Sequence, residues 1–337
     1  MKKCQYKDCQ ENSVSLSNFC WGHIDDKNYY KDILVKYVKE SNSIKDFCLS
    51  HARLENFDFI DTDCQQADLS FCDLAGANFS GANMKKCNLS HANLKNAYLD
   101  NADLQDAQLL GCNLESARLW HADLKGANLS EANLSFADLF NANLSLVKFW
   151  NVNIKGAKML TMHNFLHKKG RFFHKYAIDE SGAVSSADGY RNLKQYFIYT
   201  GRYDDASWAS FEEKQMQMRQ LLKEGNPSYL PSLVMALLCG YGEKPYRVIL
   251  FSIAAIFSYA ILYYVTGAIN IIAQTGNAIK FWDCLYFSIV TFTTLGYGDI
   301  SPKQIPFFQM ITGAEAFSGA FMIGLFVFAL TRKYSAR

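Results

Sequence analysis

The sequence predicts a multi-domain chain in which a stacked β-solenoid precedes an α-helical membrane module. Three observations predict it: a hydrophobic period of five residues from 52 to 157, two long apolar stretches near the end, and a segment with alternating glycines between those stretches. The expected boundaries are 1–30 for an N-terminal metal-binding piece, 31–51 for a helical cap, 52–162 for the solenoid, 163–245 for a linker, and 246–337 for the membrane module.

The N-terminal piece carries Cys4, Cys9, Cys20 and His23 as two close pairs across a short loop. Thiolates and an imidazole in that pattern suit a tetrahedral zinc site. The run Phe19-Cys20-Trp21-Gly22-His23 resembles small bacterial zinc knuckles. A piece this short lacks a core of its own, so the expected Zn2+ is structural.

The five-residue period decides the next region. Small residues recur at Ala52, Ala67, Cys72, Ala77, Ala82, Cys87 and onward to Ala157, each followed two residues later by Leu, Phe, Met or Ile. Steps of five from 52 to 157 give 22 repeats, with Phe57 and Thr62 filling the small slot irregularly. A five-residue step drifts around a helix, and an odd step flips faces in a strand. A chain that turns a corner in every repeat can bury both residues. The pattern resembles the pentapeptide-repeat family, which implies a right-handed quadrilateral β-helix with four repeats per coil. Twenty-two repeats then give about 5.5 coils, or about 26 Å at the interstrand spacing. Cys64, Cys72, Cys87 and Cys112 fall in inward slots, so the ten cysteines of the chain do not imply disulfides. Between 52 and 159, 13 acidic residues face 9 basic ones, too mild an imbalance for a nucleic-acid mimic. A spacer, or a docking surface for a cytoplasmic protein or ligand, is the expectation, with caps over the terminal coils.

In the linker, His163, His167, Lys168, Lys169, Arg171, His174 and Lys175 interleave with Phe165, Phe172, Phe173 and Tyr176. This cluster suits either anionic lipid or a solvated cap. Gly182 and Gly189 are expected to bound a flexible stretch, followed by helices over about 187–200 and 205–224, capped by Asp204 or Asp205. Trp208, Phe211, Met218 and Leu222 mark one face of the second helix, and the pair weakly resembles a tetratricopeptide-like hairpin. Ser232 to Cys239 is expected to lie along the inner membrane surface, as a transmitter of motion or as a passive anchor. Cys239-Gly240-Tyr241-Gly242 reads as a turn.

Val248 to Ala273 has no charged side chain, and Phe307 to Leu330 is broken only by Glu315. Each is long enough for the roughly 30 Å hydrocarbon core, which needs about 20 residues. The first helix is expected over about 247–268. Phe281 to Thr291 is too short to span and suits a re-entrant helix, with Asp283 at the positive end of its dipole.

The loop after it is Thr294-Leu295-Gly296-Tyr297-Gly298-Asp299. A dehydrated cation needs oxygens in place of its water shell, and backbone carbonyls supply them if they all point one way. Gly296 and Gly298 permit the positive φ this requires. Residues 246–331, and Thr291 to Asp299 above all, resemble the pore module of two-helix potassium channels. That resemblance implies K+ conduction by a homotetramer in which each chain gives one filter strand, with Thr294, Leu295, Gly296, Tyr297 and Gly298 binding the ion. It places Tyr286 and Phe287 as an aromatic cuff around the filter tyrosine, Asp299 just behind the filter, and Gly319 near an inner-helix hinge. Two departures stand out: Leu295 in place of the commoner valine, and Val290 where some members carry a glutamate paired with the aspartate.

Glu315 within an apolar helix must be paired, protonated or facing water. It is expected to be a hydrogen-bond partner behind the filter or a functional brace. Lys244 and Arg247 flank the first span, and Arg332, Lys333 and Arg337 follow the second, so both termini are expected in the cytoplasm of a multi-pass inner-membrane protein. Met1-Lys2-Lys3 leads into polar sequence unlike a signal peptide. No side-chain set has catalytic spacing, and an enzyme is not expected. The alternatives are a membrane-anchored scaffold with a pore-like assembly module, or a less selective cation channel.

Overall fold

The computed structural model describes residues 3–5, 7, 9–165, 182–271 and 279–335. The chain divides into two compact units, Met1–Gln217 and Met218–Arg337.

The first unit is built on a parallel ladder whose partners lie twenty residues apart, from Ser43↔Asp63 to Asp138↔Lys158. Twenty residues are four repeats of five, so each coil has four sides and the solenoid is a quadrilateral β-helix. A left-handed residue marks each corner, as at Asn56, Asp61, Gln66 and Phe71. Asn and Asp are common there because their side chains bond locally and tolerate positive φ. Both members of a repeat point inward, as Leu74, Ala77, Leu104 and Ala107 do, until the last one, where Met159 is exposed and Leu160 is buried in its place. Phe57 and Thr62 are buried as well; Phe57 packs on Phe59 at 4.5 Å, and Phe59 stacks on Phe79 at 4.7 Å. Along one face the amides form their own ladder, Asn113 donating to Asn93 at 3.1 Å and Asn133 to Asn113 at 3.1 Å. The inward cysteines are free, and burial pushes the Cys72 and Cys112 thiols up to about 12. They pack as small hydrophobes.

The solenoid starts earlier than the expected boundary at 52. Helix α1, Lys27–Ser41, begins at the Asp26 cap, which accepts from Tyr29 N at 2.9 Å, and ends at left-handed Asn42. The first bridge follows at once at Ser43. Ile44, Leu49 and Ala52 are fully buried in line with the later repeats, although Ser43 to Ser50 lack the alanine that marks them. The loop before α1 joins this end. Ser15 N donates to Cys48 O at 2.7 Å, Cys48 N donates back to Ser15 Oγ at 2.9 Å, and Tyr30 Oη donates to Ser15 O at 2.6 Å. Val14, Trp21, Tyr30 and Leu34 share the solenoid's core.

The other end is closed by residues expected to form a linker. Asn164 donates to Leu139 O at 3.1 Å and Ala142 O at 2.8 Å. Helices α2, Gly182–Tyr199, and α3, Tyr203–Lys223, add Leu193, Phe197, Ala206 and Ala209 to the same core. Tyr196 Oη donates to Ala157 O at 2.6 Å. Gly189 does not bound a flexible stretch: it lies inside α2, where a Cβ would come within 2.5 Å of Phe149 O. Asp204 and Asp205 lie in the first turn of α3, and Asp205 is paired with Arg202 at 2.6 Å. The buried face of α3 runs through Ala206, Ala209, Ser210 and Glu213, whereas Leu222 is exposed. Of the expected apolar stripe, Trp208 packs against the same core, with its ring centroid 5.8 Å from that of Phe165. The basic aromatic cluster from His167 to Tyr176 lies outside the described residues.

The second unit contains α4, Tyr229–Cys239; α5, Pro245–Thr266; α6, Phe281–Phe292; and α7, Pro306–Ser335. Strands β1, Ile269–Ile271, and β2, Ile300–Pro302, pair antiparallel with Ile269 opposite Pro302. Helices α5 and α7 are long and apolar enough to cross a membrane. Ile249, Leu250, Ile253, Phe257 and Ile261 of α5 are exposed, an apolar surface that water would not tolerate on this scale.

Candidate functional site

Helix α6 sits between α5 and α7 and positions the glycine-alternating loop. Its first turn is fixed by Asp283, which accepts from Lys280 N at 2.9 Å. Its last turn runs into Thr293 and Thr294, where Thr294 N donates to Thr291 O and Leu295 N to Val290 O, each at 3.0 Å. Positive φ then falls on alternate residues: 57° at Thr294, 58° at Gly296 and 80° at Gly298, with Leu295 and Tyr297 outside that region. In an ordinary strand successive carbonyls point in opposite directions. Alternating the sign of φ turns every second peptide and brings them to one side.

Around this loop the structure brings together most of the expected support. Tyr286 Oη donates to Asp299 Oδ2 at 2.9 Å. Phe287 is buried against Tyr263 with ring centroids 5.2 Å apart. Tyr297 itself is 68% exposed within the chain. Val290 is buried.

Glu315 is fully buried and satisfied. Tyr263 Oη donates to its Oε2 at 2.6 Å, and Ser288 Oγ contacts its Oε1 while lying 2.9 Å from Ile256 O. One carboxylate thus ties α5, α6 and α7 behind the loop. Tyr263 and Ser288 were missed as site residues, although a hydroxyl inside each apolar helix was the available signal. Gly319 lies in the middle of an unbroken α7. A Cβ there would come within 1.8 Å of Phe292 O, so the bare Cα is what lets α7 touch the end of α6.

At the N-terminus the four expected ligands converge. The donor atoms of Cys4, Cys9, Cys20 and His23 all lie within 4.8 Å of one another. Cys9 Sγ is 3.8 Å from Cys20 Sγ, and Cys20 Sγ is 3.2 Å from His23 Nδ1. Sulfurs about 2.3 Å from a tetrahedral zinc lie about 3.8 Å apart, so the set fits that ion. Cys20 N donates to Cys4 Sγ at 3.2 Å, as suits a thiolate ligand.

Residues 247–336 match the family model described as ion channel, and residues 48–85, 77–115 and 107–145 match pentapeptide repeats in eight copies. The chain joins an ion-channel domain to pentapeptide repeats. The crystal structure of the pentapeptide repeat protein Rfr23 from the cyanobacterium Cyanothece 51142 is 26% identical over 38% of this chain and 94% of that one, with a TM-score of 0.27. The pentapeptide repeat protein alr5209 from Nostoc Pcc 7120 is 28% identical over 37% and 94%, with a TM-score of 0.21. No curated protein matches the chain. With an ion-channel domain and two apolar helices, this is a membrane protein.

The alternating loop lies within the ion-channel domain. The pentapeptide repeats present no comparable array. A shallow cavity beside Tyr98, Arg118, Phe136 and Lys158 is lined by both signs of charge. Arg118 there is already held by Asp100 at 2.7 Å and stacked 4.8 Å from the Tyr98 and Trp120 rings.

Proposed function

We propose that the protein is a potassium-selective channel, assembled as a homotetramer around four copies of Thr294 to Gly298. The alternation of φ at Thr294, Gly296 and Gly298 within an ion-channel domain carries this reading. Four such strands supply stacked rings of carbonyls that replace the hydration shell of K+. Tetramerisation also gives cover to Leu295 and Tyr297, which a single chain leaves exposed. Tyr286, Asp299, Glu315 and Gly319 hold the loop from behind, and Phe287 supports them through Tyr263.

The chain lies in the inner membrane with both termini in the cytoplasm, since Lys244, Arg247, Arg332 and Lys333 cluster at one end of α5 and α7. The cytoplasmic part divides into a metal loop with α1, a solenoid from 43 to about 160, and a C-terminal cap of α2 and α3. It gates or positions the pore, or docks a cytoplasmic partner. Cys4, Cys9, Cys20 and His23 hold Zn2+, which supplies a cross-link for a loop with little core of its own.

Reconstitution tests the reading. Potassium flux blocked by barium, with little sodium flux, is expected. Comparable sodium flux would favour a less selective cation channel, and no flux would favour a membrane-anchored scaffold. Metal analysis of the purified protein is expected to return one zinc per chain.

A further inference from the structure

Helix α4 does not simply end before the first membrane span. Gly240 caps it in the left-handed region at φ 56°, and Tyr241 and Gly242 follow at 57° and 88°. Three successive left-handed residues form a sharp joint, and the middle one is a tyrosine. A non-glycine residue held this way costs about 1–2 kcal/mol and persists where its surroundings over-determine it.

Those surroundings are specific. The Tyr241 side chain folds back along α4, only 6% exposed, with its hydroxyl 3.2 Å from Ser232 Oγ. Arg247 of α5 donates to Ala236 O at 3.1 Å, which binds the first turn of α5 to the end of α4. Gly242 faces α7: a Cβ would come within 2.7 Å of Arg332 Cδ and 3.3 Å of Phe328. Glu243, with a side chain 10% exposed, pairs with Arg332 Nε at 3.5 Å. Cys239 of α4 shares a core with Met322, Leu325 and Ala329 of α7 and with Phe292 of α6.

Besides the Glu315 contacts, the inner helix is approached closely at two glycines. Gly319 meets Phe292 just before the filter segment, and Arg332 meets the joint thirteen residues later. At 1.5 Å per residue these are about 20 Å apart on one unbroken helix.

We propose that Glu243 and Arg332, seated on the Gly240–Gly242 joint, are positioning residues that fix the inner end of α7 against α4 and thereby set the open probability of the pore. The proposal rests on the channel reading above. The pair acts through the helix and touches no ion, so it is expected to move gating and leave permeation alone.

Single-channel recording of the reconstituted full chain tests it with Glu243→Gln, Arg332→Gln and the double variant. Each single change is expected to shift open probability about threefold in the same direction, the scale of a partly buried ion pair. The double variant should shift it by less than the sum of the two single shifts, since the two residues share one ion pair. Unitary conductance and ion selectivity should match the unaltered chain. Additive effects, no effect, or altered conductance would overturn the proposal. Spin labels on α4 and α7 read the joint without any current: in Glu243→Gln the inter-label distance distribution should broaden, and an unchanged distribution overturns the proposed contact. A selective current missing from the unaltered chain would count against the channel reading, while the label measurement would still judge the joint.

Discussion

The second unit contains the same tripeptide twice, and its two copies have opposite fates. Gly240-Tyr241-Gly242 is a packed joint, with a buried tyrosine and an α7 side chain against its second glycine. Gly296-Tyr297-Gly298 is open within the chain: nothing lies within 4 Å of a Cβ built on either glycine, and the tyrosine is exposed. Their glycines have similar φ values, 56° and 88° in the joint and 58° and 80° in the loop. What differs is the residue between them. Tyr241 is left-handed like its neighbours, which winds the chain into a tight turn. Tyr297 is not, so the left-handed residues alternate instead of following one another. Glycine supplies permission in both places, and the neighbouring helices decide how it is used.

Substitutions can separate steric from conformational roles. The largest effect is expected at Gly319, which lies against Phe292 at the end of α6. Overpacking typically costs about 1–3 kcal/mol and occasionally more, so Gly319→Ala, with a backbone oxygen 1.8 Å from the new Cβ, should fall at the upper end. Thermal unfolding of the purified protein should show it as the least stable variant. Gly242→Ala should come next, about 2 kcal/mol for the strained φ and the displaced Arg332 together. Equal melting of Gly242→Ala and the unaltered chain would show that the joint is not packed as described. Gly296→Ala meets no neighbour within the chain, so backbone strain there should cost about 1 kcal/mol while selective potassium flux is abolished. A variant that melts early and still conducts would reverse the comparison. Tyr241→Phe should be mildest, about 1 kcal/mol for the lost Ser232 contact.

Tyr241 also gives the joint a pH signature. Burial raises its phenol above the ordinary value, against smaller opposing effects of Ser232 and Arg219. The folded state thus favours the neutral phenol. Its contribution is whole below about pH 10, where an unfolded tyrosine titrates, and is lost as pH rises through the higher folded value. Alkaline unfolding of the unaltered chain should approach that of Tyr241→Phe as pH climbs past that window.

Legibility followed the range of the interactions. The solenoid was readable because each repeat states its own inward pair and corner, and Leu74 and Ala77 need only the next coil to be buried. The start at Ser43 was hidden because Ile44 and Leu49 keep the larger residue of the pair while Phe47 replaces the alanine. The glycine-alternating loop and α6 were legible from Thr291 to Asp299. Their support was legible only in part: Glu315 announced itself as a charge among apolar residues, whereas Ser288 and Tyr263 gained meaning once three helices had met around it. Gly189 read as a breaker because nothing in its neighbourhood names Phe149, forty residues earlier.

The sequence by itself determined the period of five, the two long apolar helices, the sign alternation open to Gly296 and Gly298, and the cluster of Cys4, Cys9, Cys20 and His23. These are local patterns, fixed by backbone geometry and by which side chains can face one way. Tertiary structure decided that α2 and α3 cap the solenoid, that Gly319 is a point of contact with α6, and that one Gly-Tyr-Gly became a joint. Each of those depends on a close approach between residues far apart in the chain, and no run of neighbouring residues encodes such a distance.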